Sequence, residues 1–150
     1  MVKLRVKNAK FIRVRHLIER SRGELIPIEA LRDVPFEIKR IFFIRGVKDS
    51  RVVRGEHAHT RARQVLLCVH GSCVLHLDDG SKKQKILMRD PAVGILIHPD
   101  VWVRMTNFSR DCVLCAVADE YFDRDEYINE YDAFIARKRK RKIDEPRRRK

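Results

Sequence analysis

No stretch of this 150-residue sequence holds the ~18 to 20 uncharged apolar residues that a membrane-crossing helix needs. The opening Met1-Val2-Lys3-Leu4-Arg5-Val6-Lys7 lacks the apolar core of a secretory signal. Cysteine is sparse: Cys68, Cys73, Cys112 and Cys115 are too few for a disulfide scaffold, and each sits in or beside an apolar run. The expectation is a soluble cytoplasmic protein with reduced, buried thiols. Glycine and proline, six and five residues, are too few for a fibrous chain, and a 44% hydrophobic content is too high for a disordered one. One compact domain over residues 1–136 follows from the length.

Charge is abundant but lopsided. Of the net +13, residues 137–150 (RKRKRKIDEPRRRK) carry +8, leaving five positive charges for the rest. That terminal tract, with Pro146 and no apolar periodicity, reads as a solvated, disordered basic tail. Any nucleic-acid contact would run through it alone.

Between Phe36 and Ala118 short β-branched runs alternate with turn residues, the layout of a sandwich or barrel rather than of βαβ units. Eight strands are expected, at 37–45, 51–59, 63–70, 73–78, 83–89, 93–98, 101–106 and 112–118. The turns between them include Gly71-Ser72, Asp78-Asp79-Gly80, Asp90-Pro91 and Pro99-Asp100. Eight strands fit an all-β jelly-roll barrel. Residues 4–14 and 24–28 read as short additional strands around a turn at Ser21-Arg22-Gly23. From about residue 123, Tyr127, Ile128, Tyr131, Phe134 and Ile135 recur at helical spacing, predicting a C-terminal amphipathic helix.

The chemistry centres on Gly55-Glu56-His57-Ala58-His59. Two histidines two apart on a strand share one face, and in a small barrel that face lines the mouth. A His-x-His strand is half of the usual cupin metal site, but the carboxylate expected five residues on is replaced by Gln64. The segment after Pro99, Asp100-Val101-Trp102-Val103-Arg104, supplies no further histidine. A metal-free, cofactor-free site is therefore expected, with His57 and His59 transferring protons as base and then acid. The pairs Cys68-x4-Cys73 and Cys112-x2-Cys115 are read as core thiols, because residues three apart on a strand face opposite ways. His16, His70, His76 and His98 are read as structural.

These segments resemble the sugar-nucleotide 3,4-ketoisomerases, small cupin enzymes acting on dTDP-4-oxo-6-deoxyglucose. The likeness runs from about Arg22 to Phe134 through Arg22-Gly23, Pro35-Phe36-Glu37-Ile38-Lys39-Arg40, Arg54-Gly55-Glu56-His57-Ala58-His59, Gln64-Val65-Leu66, Val101-Trp102 and Tyr127-Ile128-Asn129-Glu130-Tyr131-Asp132. The resemblance implies a homodimeric isomerase that moves a carbonyl from C4 to C3 of a dTDP-linked 6-deoxyhexose. His57 is the implied base and His59 its partner, with Arg40, Arg54, Gln64, Trp102 and Arg104 as substrate-binding candidates. Two positions depart from the pattern. Phe42 and Phe43 stand where the family usually has a tyrosine pair, and Val103-Arg104 where it has a polar residue and then an acid. The second departure predicts a more cationic site. A sugar-nucleotide epimerase and a non-catalytic nucleotide-sugar-binding barrel are the alternatives.

Overall fold

The computed structural model describes residues 3–144. Its strands are β1 (Ala9–Arg13), β2 (Leu17–Glu19), β3 (Gly23–Leu25), β4 (Arg40–Arg45), β5 (Arg54–His59), β6 (Gln64–His70), β7 (Cys73–Asp78), β8 (Lys83–Met88), β9 (Val93–Ile97), β10 (Trp102–Thr106), β11 (Val113–Ala118) and β12 (Tyr127–Ile128). A 3₁₀ turn covers Arg124–Glu126, and helix α1 covers Tyr131–Asp144. The eight strands expected between residues 37 and 118 are β4 to β11, trimmed at their ends. No described helix is long and apolar enough to cross a membrane.

Two five-stranded sheets, ordered β1-β9-β6-β11-β4 and β12-β5-β10-β7-β8, face each other as a jelly roll. From β4 to β11 the chain changes sheet at every step except the β7–β8 hairpin, and inward side chains of both sheets build one core from Leu66, Leu75, Leu77, Ile95, Val103, Met105 and Leu114. The first sheet is buried on its outer face too: Val65, Leu67, Leu96, Cys115 and Val117 pack under Val14, Val34 and Phe36 of the N-terminal segment. Burial on both faces explains why β6, Gln-Val-Leu-Leu-Cys-Val-His, is apolar without alternation. The second sheet faces solvent, and β8 alternates strictly between exposed and buried residues.

Two sequence expectations change at the C-terminus. The segment from residue 123 is a 3₁₀ turn and a short strand before the helix begins at Tyr131, because Tyr127 and Ile128 pair with His59 and Ala58 on β5. Residues 137–144, expected as tail, are helical. Their anchor is the buried Asp100, whose carboxylate accepts from Arg137 and Arg141 and whose carbonyl accepts from Lys138. Phe134, wholly buried, packs against Trp102 and Tyr131, and the Tyr131 hydroxyl donates to Asp78. The remainder of the expected tail, residues 145–150, lies outside the described residues.

One irregularity positions the histidine strand. The β5–β10 register runs Val103 opposite His57 and then Arg104 opposite Gly55, so Glu56 is the extra residue of a bulge. Gly55 and Glu56 both have positive φ, +84° and +59°. A Cβ on Gly55 would lie 2.8 Å from the Val103 carbonyl oxygen and 3.1 Å from Met105 Cε. Gly46 has a similar φ of +71° but open space around it. Gly55→Ala should therefore destabilise the fold by ~2 kcal/mol or more in urea unfolding, combining a left-handed backbone with a clash against main chain. Gly46→Ala should cost clearly less, and equal costs would show that the approach of Val103 does not constrain the bulge.

Candidate active site

Beyond the bulge, β5 resumes its period of two and turns His57 and His59 inward. Their rings meet edge to face at 4.9 Å between centroids. They line a cavity of about 160 Å³ inside the barrel with Phe42, Arg54, Gln64, Leu66, Val103, Met105 and Tyr127. His57, His59, Arg54 and Gln64 thus come together as expected. Arg40 stands beside them, its guanidinium 5.2 Å from the Phe42 ring and 3.4 Å, through Nη2, from the Tyr127 hydroxyl. Its Nε is buried without a hydrogen-bond partner among the described residues.

Trp102 and Arg104 do not join this group. On β10 they alternate with Val103 and Met105, and it is the latter two that face the histidines. Trp102 and Arg104 open onto a separate 510 Å³ cavity on the outer side of the second sheet, with Glu56, His76, Lys83 and Tyr131. Arg104 approaches Glu56 at 3.7 Å, and Trp102 packs against Tyr131 and Phe134 of α1. The expectation of a more cationic site is therefore reversed. The residue that enters the histidine cavity is Val103, so both departures from the family pattern, Phe42 and Val103, make that cavity more apolar.

The structure adds two residues that sequence reasoning missed. Glu126 is wholly buried, and its Oε1 lies 2.6 Å from His59 Nδ1. Its Oε2 accepts from the backbone N–H groups of Ala62 at 2.9 Å and Arg61 at 3.3 Å. A carboxylate that only accepts places the proton on Nδ1 and leaves the Nε2 lone pair free. Tyr127, read from the sequence as part of a helical stripe, lies on β12 with its ring 4.8 Å from His57 and 4.6 Å from His59. Neither residue carries a local signal, since Glu126 meets His59 across 67 positions of chain.

Burial, reinforced by the neighbouring His59 and by Arg40, holds the His57 pKa down to about 4. Burial also lowers that of His59, against the opposing pull of Glu126. Both imidazoles are thus neutral near pH 7, the form a base requires. The residues do not reproduce a cupin metal set: Glu126 is committed to His59 and two amides, and Gln64 offers a neutral amide.

Thiols form the one group of three or more potential metal ligands among the described residues. The Sγ atoms of Cys68, Cys73 and Cys112 lie within 4.8 Å of one another, all buried. Hydrogen bonding, chiefly with Cys73, holds the Cys68 thiol below its usual range. Cys115 faces the other side of the sheet, in the cluster under the N-terminal segment.

Comparison with known proteins places this geometry. The family described as FdtA, WxcM-like, C-terminal, matches residues 7–139. A TDP-4-oxo-6-deoxy-alpha-D-glucose-3,4-oxoisomerase of Aneurinibacillus thermoaerophilus is 44% identical over 125 residues, 83% of this chain and 88% of that protein. A histidine-to-asparagine mutant of the 3,4-ketoisomerase QdtA from Thermoanaerobacterium thermosaccharolyticum, solved with TDP-4-keto-6-deoxyglucose, superposes with a TM-score of 0.87 at 38% identity, over 91% of this chain and 97% of that one. The WlaRB TDP-quinovose 3,4-ketoisomerase from Campylobacter jejuni gives 0.81 at 38% identity, over 87% and 99%.

The depressed His57 pKa has a stability consequence. An unfolded histidine titrates near ~6.5, so between about pH 6.5 and 4 the unfolded chain binds more protons at this position than the folded one. The contribution of neutral His57 is complete above ~6.5 and is lost as pH falls toward 4. The urea midpoint should therefore drop less between pH 7.5 and 5 in His57→Gln than in the wild type. Equal drops would show that His57 is not held neutral by its surroundings.

Proposed function

The chain belongs to the FdtA family of sugar-nucleotide ketoisomerases, and from that membership we propose that it converts a TDP-4-oxo-6-deoxyhexose to its 3-oxo isomer. The observation that carries this reading is the buried, neutral His57–His59 pair, oriented by Glu126 inside a barrel whose relatives over most of its length are 3,4-ketoisomerases.

Moving a carbonyl from C4 to C3 requires loss of the C3 proton, an enediol, and protonation at C4. His57, neutral and lining the cavity, takes the C3 proton. His59, with Nδ1 committed to Glu126, presents the Nε2 lone pair to the same cavity as an acceptor for a sugar hydroxyl. Gln64, nearly buried, orients a hydroxyl of the sugar. At about 160 Å³ the inner cavity accommodates the hexose alone. Arg54 lines both this cavity and an adjoining one of about 480 Å³ with Lys48 and Arg45, which suits it to the diphosphate between sugar and nucleoside. The orphaned Nε of Arg40 offers a further donor to an anionic oxygen. Trp102 and Arg104, on the far side of the sheet, take no part within this protomer. An epimerase would use the same base but return the proton to C3, and the family's ketoisomerase members weigh against it.

The homodimer implied by the family has a suitable surface. β4 is an edge strand whose outward Ile41 and Phe43 are 56% and 59% exposed, and the β2–β3 hairpin exposes Leu17, Ile18 and Leu25. Four cysteines without a disulfide suit a reducing compartment such as the cytoplasm.

Chelator-treated protein mixed with TDP-4-oxo-6-deoxyglucose in deuterated buffer should yield the 3-oxo isomer by proton NMR, with deuterium at C4 to the extent that the His57 imidazolium exchanges with solvent during turnover. His57→Asn should reduce the rate by at least ~100-fold, the scale of a lost acid–base group. Exchange at C3 with the carbonyl remaining at C4 would indicate an epimerase. A silent spectrum with TDP still bound would indicate a binding protein.

A further inference from the structure

We infer that Tyr127 is the hydroxyl that shuttles protons between the two sugar oxygens in this chain, in the place left empty by Phe42; the inference rests on the ketoisomerase reading above. Isomerisation must move two protons. One leaves carbon C3 and arrives at carbon C4. The other leaves the C3 hydroxyl and arrives at the C4 oxygen, and it needs a group that gives and receives on the oxygen side. In this cavity Phe42 and Val103 cannot exchange protons, Gln64 holds its amide protons firmly, and neutral His59, its one N–H bound to Glu126, can accept at Nε2 but has no proton to give first to the C4 oxygen. Among the residues lining it, Tyr127 carries the one hydroxyl.

Its placement suits the task. β12 pairs Tyr127 directly with His59, so the backbone ladder that carries the histidines also fixes the phenol ring. The ring packs on both imidazoles, at 4.8 and 4.6 Å. The hydroxyl oxygen accepts from Arg40 Nη2, and since a guanidinium has no acceptor, the phenolic proton remains directed elsewhere. The same guanidinium stabilises the phenoxide left when that proton moves. Arg40 is held in turn by the faces of Phe42 and Phe122, at 5.2 and 5.8 Å. Phe42 thus supports the cation beside the phenol instead of supplying a phenol itself.

The step balances without an oxidant or a co-reactant. His57 takes the C3 proton while Tyr127 gives its phenolic proton to the C4 oxygen, forming the enediol. Tyr127 phenoxide then recovers a proton from the C3 hydroxyl as the C3 carbonyl forms, and the imidazolium returns its proton to C4. Enzyme and protonation states are restored after each turnover.

Tyr127→Phe removes the hydroxyl and keeps the ring. The expected result is a kcat at least ~100-fold lower, with TDP affinity within twofold of wild type and a thermal midpoint within ~3 °C of it. Adding Phe42→Tyr to that variant should recover at least tenfold of the loss, because it restores a hydroxyl to the same cavity. Activity of Tyr127→Phe within threefold of wild type would overturn the assignment, as would a loss matched by an equal loss of TDP affinity. An inactive wild type would instead overturn the ketoisomerase reading, so the two failures are distinguishable.

A separate observation carries a second proposal. The geometry points to Cys68, Cys73 and Cys112 as a three-sulfur site for a soft, thiolate-preferring metal ion, remote from the histidines. Three sulfurs bonded at ~2.3 Å in a trigonal plane stand ~4 Å apart. Here Cys68 and Cys112 are 3.8 Å apart and all three lie within 4.8 Å without rearrangement. The thiols lie on β6, at the start of β7 and just before β11, and Cys112 lines a surface cavity of about 410 Å³ beside them. On binding, each thiol releases its proton to solvent. Anaerobic titration of the reduced protein with cadmium ion should give a sulfur-to-metal charge-transfer band saturating at one equivalent. Cys115→Ser should retain the band, and Cys112→Ser and Cys73→Ser should each lose it. No band in the wild type, or an undiminished one in Cys112→Ser, would overturn the proposal.

Discussion

The contact between Glu126 and His59 is the constraint on which the site depends. A carboxylate with no exposed surface is costly to bury unless each oxygen is satisfied, and here each is: one meets the imidazole, the other two main-chain amides at the end of β5. The pairing draws residues 124–128 against β5, and the Tyr127–Ile128 ladder follows from that placement. Three features of the cavity therefore share one cause. His59 has a fixed tautomer, β5 gains a neighbour on its free edge, and the phenol of Tyr127 stands over both histidines. Replacing the carboxylate with an apolar group would remove the reason for the strand as well as the orientation of the ring.

A second constraint is the period of two along each strand. It puts His57 and His59 on one face, which is legible from their spacing alone, and it equally separates Val103 from Arg104, whose faces are settled only by the pairing of β10 with β5. Once β10 is paired with β5, Val103 opposite His57 must face the cavity and Arg104 must face Glu56. The bulge at Glu56 matters because it takes up the one residue that would otherwise put the histidine strand out of step with its neighbour. Gly55 accommodates that bulge beside the Val103 carbonyl.

What was legible in the sequence is what depends on local pattern. The eight barrel strands, their turns and the histidine pair all rest on neighbours within a few residues. The parts that were missed depend on contacts far apart in the chain. Tyr127 has helical spacing to Tyr131 and Phe134, yet it is a strand because its partner lies 68 residues upstream. The basic run from Arg137 has no apolar stripe and looks solvated, yet it is helical as far as Asp144 because Asp100 binds Arg137 and Arg141, one helical turn apart. Charge composition could not reveal that part of the positive excess neutralises a buried aspartate. Asp100 itself has a positive φ of 62°, and its N–H donates to the His59 carbonyl at 2.8 Å, so the helix anchor and the histidine strand meet at one residue.

The apolar character of the cavity bears directly on its chemistry. A base that works near neutral pH must be unprotonated, and desolvation is the largest cause of the lowered His57 pKa. Phe42 and Val103 give the same cavity apolar lining, where the family pattern would place groups that hydrogen-bond. The same replacement removes a hydroxyl that an enediol would use, so a drier pocket favours the base and deprives the oxygens of a donor. Tyr127 resolves the conflict because it is amphipathic: its ring contributes to the apolar wall and its hydroxyl, steadied by Arg40, remains polar. A barrel wall can thus lose one tyrosine without losing acid–base function, provided that a residue on the neighbouring strand brings a hydroxyl to the same space. Here that neighbouring strand begins one residue after Glu126, whose contact with His59 holds it against β5.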